Sequence, residues 1–526
     1  MAADLTRERW TLTAVVLASS VVFLDSTLVG VALPRIAEEL GSGPFGVLEA
    51  QSYVYNGYLL TLSALLVLAG AASDRYGRRR MFLVGLAGFT ATSVACGLAP
   101  SMPALIVARL LQGASGAVLV PGSLALIASV FTGARRGWAY GVWAAASAAT
   151  TILGPLLGGA LVDTVSWRAA FLLNVPLLAV AIWATLRHVP ESRDEEAARG
   201  FDWLGAALIA TGLGGLTYGA IRGQEAQWQD TGAFVALAVG ALATALFVPV
   251  QARRRNPLVP LGLFRERNFA AINASTLLIY GALYVASYLT VIHLQGTLGY
   301  SATAAGVALV PMSLLLAGLS SRFGALAARL GPRRFLTAGP LLMAAGLLWL
   351  VRMPADSAAW DLRPASPATW PPPADYVVDL LPMAVVFGLG LAVMVAPLTT
   401  ALMASIPPRH AGLASAINNA ISRVGPQLAG AAVFVAVTAG FYADVAGRAG
   451  VDDTAALRAA VAPLNAPAEG APPGVAAAAR GASARAHHQA MAIAAGLLAA
   501  GAAVNGLAVR DEELRLDDPD EAVPQA

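Results

Sequence analysis

Apolar runs of about 20 residues, repeated down the whole chain and separated by short breaks that carry arginine, leave this sequence one class of fold. Inside lipid a helix satisfies its own backbone, so such runs form spanning helices and not irregular loops. Runs and breaks predict about fourteen helices, near 11–33, 47–70, 80–99, 103–128, 137–161, 168–187, 203–222, 232–251, 269–293, 301–322, 333–352, 377–403, 411–441 and 486–509. Composition agrees, with 12% charged residues where soluble domains carry about 25%. The chain is an all-α integral membrane protein. Its first run continues from Leu12 to Leu33 without a cleavage pattern and reads as a retained helix.

Orientation follows from the arginines. Alternate breaks hold Arg75, Arg78 to Arg80, Arg135, Arg136, Arg253 to Arg255, Arg329, Arg333 and Arg334, whereas the opposite breaks hold fewer. The positive-inside rule puts the first set, and both termini, in the cytoplasm, which requires an even number of spans. Two outer loops are long: 353–376, rich in Pro and Trp, is expected to be extended rather than helical, and 443–485, rich in Ala and Pro, is expected to be mobile, with a short helix between Asp453 and Ala460. The acidic tail from Asp511 is expected to be disordered.

Composition also excludes activities. Apart from five histidines, every basic residue is arginine, so neither a P-loop lysine nor a Schiff-base lysine exists here. No nucleotide, enzymatic role or cofactor is expected, and a net charge of +3 gives no nucleic-acid footprint. Cys96, alone in its kind, reads as a packing residue. His487 and His488 read as solvated residues at the outer start of the last helix, without the further ligands a metal needs. The all-arginine, Ala-rich composition suits GC-rich bacterial coding.

One break is repeated. Gly70-Ala-Ala-Ser-Asp74-Arg75-Tyr-Gly77-Arg78-Arg79-Arg80 reads as a tight charged turn between two antiparallel spans, and Gly324 to Arg334 aligns on it without a gap, with Ala328 for Asp74 and Pro332 for Arg78. The offset, 324 − 70 = 254 residues, is too long for six helices and fits six plus an inserted pair at 203–251. The expected organisation is a six-helix bundle at 1–190, the inserted pair with linkers at 191–256, a second bundle at 257–510 and the tail at 511–526. Parallel six-helix repeats are a transporter architecture with the substrate site between halves.

The Gly70–Arg80 turn resembles the signature between the second and third helices of the major facilitator superfamily. Leu24-Asp25-Ser-Thr27 to Pro34 resembles the first-helix motif of its fourteen-helix drug:proton antiporter branch, Arg109 to Gly116 the fourth-helix motif, and Gly154-Pro155-Leu-Leu-Gly158-Gly159 the antiporter motif. Trp167-Arg168, Phe171 and Asn174-Val-Pro176 resemble the EmrB/QacA-like members at the sixth helix, and Asn418-Asn419 with Arg423 and Gly425 extends the resemblance into the second half. Departures are Tyr53 for a usual Trp, Thr150 for a Gly, and Pro426 after Gly425, which could kink its helix. The resemblance implies Asp25 as proton carrier, Arg109 as its modulator and the Gly154 motif as a seal against leak.

The residues give partial physical grounds for these roles. Asp25 is the one acid deep inside a predicted helix, roughly 13 Å from its outer end, and Arg109 lies at a similar depth, roughly 9 Å. The alternative is a permanently ionised structural pair. Small residues four apart at Gly154 and Gly158 also suffice for plain helix packing. Tyr280, Tyr284 and Tyr288 recur every four residues on one helix face, suited to stacking on a flat drug. Tyr55, Asn56, Tyr58, Gln112, Asn418, Asn419 and the embedded cation Arg423 are further cavity candidates. Gly70, Asp74, Arg75, Gly77 and Arg78 form a candidate cytoplasmic gate, with Asp74 pairing across the two bundles.

The expected function is proton-coupled export of hydrophobic or cationic small molecules by a monomer in the bilayer. Nutrient symport and a non-transporting sensor or scaffold are the alternatives.

Overall fold

The computed structural model describes residues 2–41, 47–193, 201–225, 229–363, 366–407, 410–452, 455–465, 467 and 472–514. Among them are helices and turns and no strand. The first half contributes α1 (Ala2–Leu40), α2 (Val47–Tyr76), α3 (Arg78–Gly97), α4 (Met102–Val130), α5 (Gly133–Thr164), α6 (Trp167–Leu172) and α7 (Asn174–His188). Then come α8 (Trp203–Glu225) and α9 (Thr231–Arg253). The second half contributes α10 (Arg267–Ile292), α11 (Ala302–Ala308), α12 (Val310–Leu330), α13 (Arg333–Leu350), α14 (Leu381–Ala404), α15 (Ala411–Ala449), α16 (Ala455–Ala460) and α17 (Pro473–Ala508).

Eleven helical stretches among the described residues are long and apolar enough to cross a membrane. The spans Trp167–His188 and Thr303–Leu330 each include a short hitch. Pro176 has no N–H for the carbonyl of Leu172, and Pro311 none for that of Val307. The helices α5, α13 and α15 lie outside the eleven yet pack among them. Pro426 sits inside α15 without ending it.

Packing sorts the helices into two groups. In one, α1 packs on α4, α5 and α7, and α4 also on α2 and α3; in the other, α10 packs on α15 and α17, and α14 on α12 and α13. The groups meet where α5 lies on α12 and α14, and where α15 lies on α2 and α4. The pair α8 and α9 packs chiefly on itself, with α8 leaning on α2 and α15. Burial covers 72% of the span in α4 but 22% in α9, so α4 is a core helix and α9 presents Phe234, Val239 and Leu242 outward.

Several expectations need correction. The tight turn expected from Gly70 to Arg80 is tighter still: α2 runs on to Tyr76, and Gly77 alone, at φ 108°, redirects the chain into α3. Gly331, at φ 82°, does the same between α12 and α13. The described residues of segment 443–485 are largely helical, through the end of α15, α16 and the first turns of α17; residues 453–454 of the expected short helix lie outside the described set. The described residues of segment 353–376 are mainly non-helical, as expected, and are anchored where buried Trp360 packs on Tyr376 and its carbonyl accepts from the Ser301 N–H. His487 lies well inside α17, buried, its ring stacked 4.2 Å from that of His293, so it is not solvated. Asp511 is also ordered: it accepts the Arg333 N–H at 2.9 Å, while 515–526 lie outside the described residues.

Candidate functional site

A polar cluster sits inside the first group of helices. Asp25 on α1 is 1% exposed and Arg109 on α4 is fully enclosed; Nη1 of Arg109 bonds Oδ2 of Asp25. Helical spacing puts Gln112 one turn beyond Arg109, where its Oε1 accepts from Arg109 at 2.7 Å and its Nε2 donates to Asp25 Oδ1 at 3.1 Å. Asn174, at the start of α7, donates to the same Oδ1 at 3.0 Å. Ser93 on α3 accepts from both amides, at 3.0 and 3.3 Å. Arg109 also donates through Nε to the Val54 carbonyl at 3.1 Å and lies over the ring of Tyr58 at 4.4 Å. Among the described residues, each side-chain partner of the Asp25 carboxylate is therefore an N–H donor, and the carboxylate oxygens act as acceptors throughout.

Helix α5 closes on the same turn of α1. A Cβ at Gly154 would stand 1.9 Å from Oγ1 of Thr27, and one at Gly158 would stand 3.2 Å from the Leu28 carbonyl. Gly154 and Gly158 thus pack closely against the turn that carries Asp25. The surroundings of Pro155 and Gly159 lie outside the described residues.

At the arginine-rich end, Asp74 reaches the other group of helices. Its carboxylate accepts from the backbone N–H of Gly412 at 3.1 Å and of Leu413 at 2.7 Å, two free donors in the first turn of α15. Arg78 supports the same carboxylate from α3, with Nε and Nη2 each 2.9 Å from Oδ1. A negative charge there also meets the positive end of the α15 dipole. Gly70 permits the approach, since its Cβ would lie 2.7 Å from the Gly412 carbonyl oxygen. Arg75 lies over the Tyr76 ring, 5.5 Å from its centroid.

The repeat extends to residues its motif does not include. Glu191, following α7, accepts the N–H groups of Arg79 and Arg80 at 3.1 and 3.2 Å, and Asp511, following α17, takes the equivalent place at Arg333.

The cavity candidates divide. Tyr55, Tyr280, Tyr284 and Arg423 are half-buried where the groups face each other, and Tyr284 stacks on Tyr288 at 5.6 Å. Gln112 and Tyr58 belong instead to the buried cluster, Tyr58 donating to the Val22 carbonyl at 3.1 Å. Asn418 is buried and its amide serves α10, donating to Asn273 at 3.2 Å and Thr276 at 3.0 Å. Asn419 donates back to the Ser415 carbonyl at 2.9 Å. Asn56 lines a side pocket with Tyr53, Leu110, Tyr218 and Arg222, between α2, α4 and α8. Sequence reasoning missed Ser93 and the role of Asn174; an amide inside an apolar run was the available signal.

The model of the Major Facilitator Superfamily matches residues 15–430. Multidrug resistance protein Stp of Mycobacterium tuberculosis is 34% identical over 419 residues, 80% of this chain and 74% of that protein. The tetracenomycin C resistance and export protein of Streptomyces glaucescens is 33% identical over 435 residues, 83% of this chain and 77% of that protein. Among solved structures, that of the human organic anion transporter MFSD10 superposes with a TM-score of 0.58 at 16% identity, covering 95% of this chain and 99% of its own; this similarity speaks to fold alone.

Proposed function

Because this chain belongs to the major facilitator superfamily, we propose that it is a multi-pass cell-membrane exporter of drugs or antibiotics, driven by proton antiport. In this reading, residues 1–190 and 257–510 are bundles that rock about a central site, and 191–256 is an inserted pair beside the seam. The span count becomes fourteen when α5, α13 and α15 join the eleven apolar stretches, with the arginine-rich end and both termini in the cytoplasm. The protein works as a monomer.

The observation that carries the coupling is the enclosure of Asp25 among N–H donors, with Arg109 as counter-ion. A proton arriving at Asp25 removes the charge those donors hold, and Arg109 is left without its counter-ion in a low-dielectric interior, an unfavourable state that favours rearrangement. The turn of α1 that carries Asp25 lies on Gly154 of α5, and α5 runs on to meet α12. Titration at the acid is thereby joined by one rigid helix to the junction between bundles. The Asp74 contact with α15 holds the cytoplasmic end shut while the other end loads protons and releases drug. One proton crossing about 100 mV supplies about 2.3 kcal/mol, enough to concentrate a neutral solute roughly fifty-fold.

The test uses everted vesicles carrying a preformed proton gradient. Adding an exported antibiotic dissipates the gradient in vesicles bearing the wild type, and Asp25→Asn abolishes that response. An undiminished response in Asp25→Asn would end the coupling role. Accumulation of solute by energised whole cells would replace export with symport.

A further inference from the structure

We propose that the site between the two halves selects planar aromatic compounds bearing an acidic group, a carboxylate or phenolate, with Arg423 as the anion-binding residue. The proposal rests on the export reading and names its substrate class.

Arg423 lies 12 residues into α15, roughly 18 Å from its start and so near mid-membrane. Its Nε has no hydrogen-bond partner, and among the described residues no carboxylate lies within ion-pair distance of it. What surrounds it is aromatic. The guanidinium lies 5.8 Å from the ring centroid of Phe23, which belongs to α1 in the opposite half, and the phenols of Tyr55, Tyr58 and Tyr280 lie within its electrostatic reach. The hydroxyls of Tyr55 and Tyr280 make no hydrogen bond to the described protein, and both residues are half-buried. An embedded cation without an acid, flanked by unspent phenol donors and ring faces, is complementary to an anion attached to a flat ring.

The balance of charge points the same way. Asp25, the acid a cationic drug would seek, is sealed inside the first bundle and bonded to Arg109. A cation entering between the halves therefore meets Arg423 first, with no exposed carboxylate beside it. The sequence alone pointed to hydrophobic or cationic substrates; the geometry favours acidic ones. A guanidinium also offers a planar fork that matches a carboxylate in two bonds, which a lysine ammonium cannot do.

Two dyes sharing a xanthene ring but opposite in charge separate the cases: fluorescein, a dianion at pH 8, and rhodamine 6G, a cation. With the purified full chain and fluorescence polarisation, fluorescein is expected to bind at least tenfold more tightly than rhodamine 6G. Arg423→Gln should weaken fluorescein at least tenfold and leave rhodamine 6G equal or tighter, while Arg423→Lys keeps part of the affinity. Tyr280→Phe, which keeps the ring, should weaken fluorescein by about threefold. Preference for rhodamine 6G, binding of neither dye, or unchanged fluorescein affinity in Arg423→Gln overturns the proposal. Gradient dissipation by antibiotic in vesicles is measured separately. Its loss with dye selectivity intact would sink proton antiport and leave this proposal standing; the reverse result would sink this proposal alone.

Discussion

The two copies of the repeated motif cross the same seam by different physics. At the first, Gly70 brings α2 against α15, and the Asp74 carboxylate caps two backbone N–H groups of the opposite half. At the second, Gly324 brings α12 against α5, with a Cβ there 3.1 Å from the Gly137 carbonyl oxygen, and Ala328 stands where the acid would be, 3.2 Å from a Cβ built on Gly137. The first crossing joins a charge to a helix terminus. The second is close packing of small residues. A pseudo-symmetric fold therefore need not repeat its chemistry: one junction responds to charge, the other to volume.

The largest effect is expected from volume. A Cβ at Gly141 would stand 2.6 Å from the Ser321 Cα, a backbone atom that cannot rotate away. Gly141→Val should cost about 1–3 kcal/mol of closure or stability. Transport is expected to fall at least tenfold, together with a lower melting temperature of the purified protein; normal transport would show that the second crossing is loose. Asp74→Asn comes next. It removes charge-assisted bonds worth about 1.5–3 kcal/mol each, so labelling of a single cysteine placed at the arginine-rich end, in a Cys96→Ala background, should rise about tenfold or more. Unchanged labelling would reduce the first crossing to packing as well.

Ala328→Asp sharpens the contrast. Gly137 is the fifth residue of α5, past the free N–H groups of the first turn, so a carboxylate at 328 finds no helix terminus to cap. The substitution should destabilise by about 1–2 kcal/mol and not build a second lock, and a higher melting temperature would contradict that. The smallest effect is a control outside the seam. Glu39 on α1 pairs with Arg168 within one half, and its carboxyl is held below the usual range by hydrogen bonds from Arg168 and Trp167. Because the folded-state value lies below the unfolded one of about 4.3, the pair's contribution is present above about pH 4.3 and is lost as pH falls through the folded value. The melting difference between wild type and Glu39→Gln should be slight and vanish on acidification; growth of the difference at low pH would overturn the assignment.

What could be read in advance tracks where the information lies. Apolar runs located the spans because lipid imposes length and polarity on side chains. Depth alone put Asp25 and Arg109 at one level, because helical rise is fixed. The donors to Asp74 were illegible, since they are main-chain groups of Gly412 and Leu413, which carry no side-chain signal. The first turns of α17 were passed over because Pro473 to Arg485 is not apolar enough to span; its alanines nonetheless favour helix, and Pro473 suits a helix start.

The donors to Asp74 have an evolutionary consequence. Every amino acid but proline offers a backbone N–H, so position 413 can drift without releasing the acid wherever the helix itself persists, whereas position 412 is held to glycine because a Cβ there would stand 2.7 Å from Asp74 Oδ1. Covariation between Asp74 and α15 should therefore be weak. A genetic search for suppressors of a lost Asp74 will find no compensating charge swap at its partner, and should instead return changes that stabilise the closed seam elsewhere.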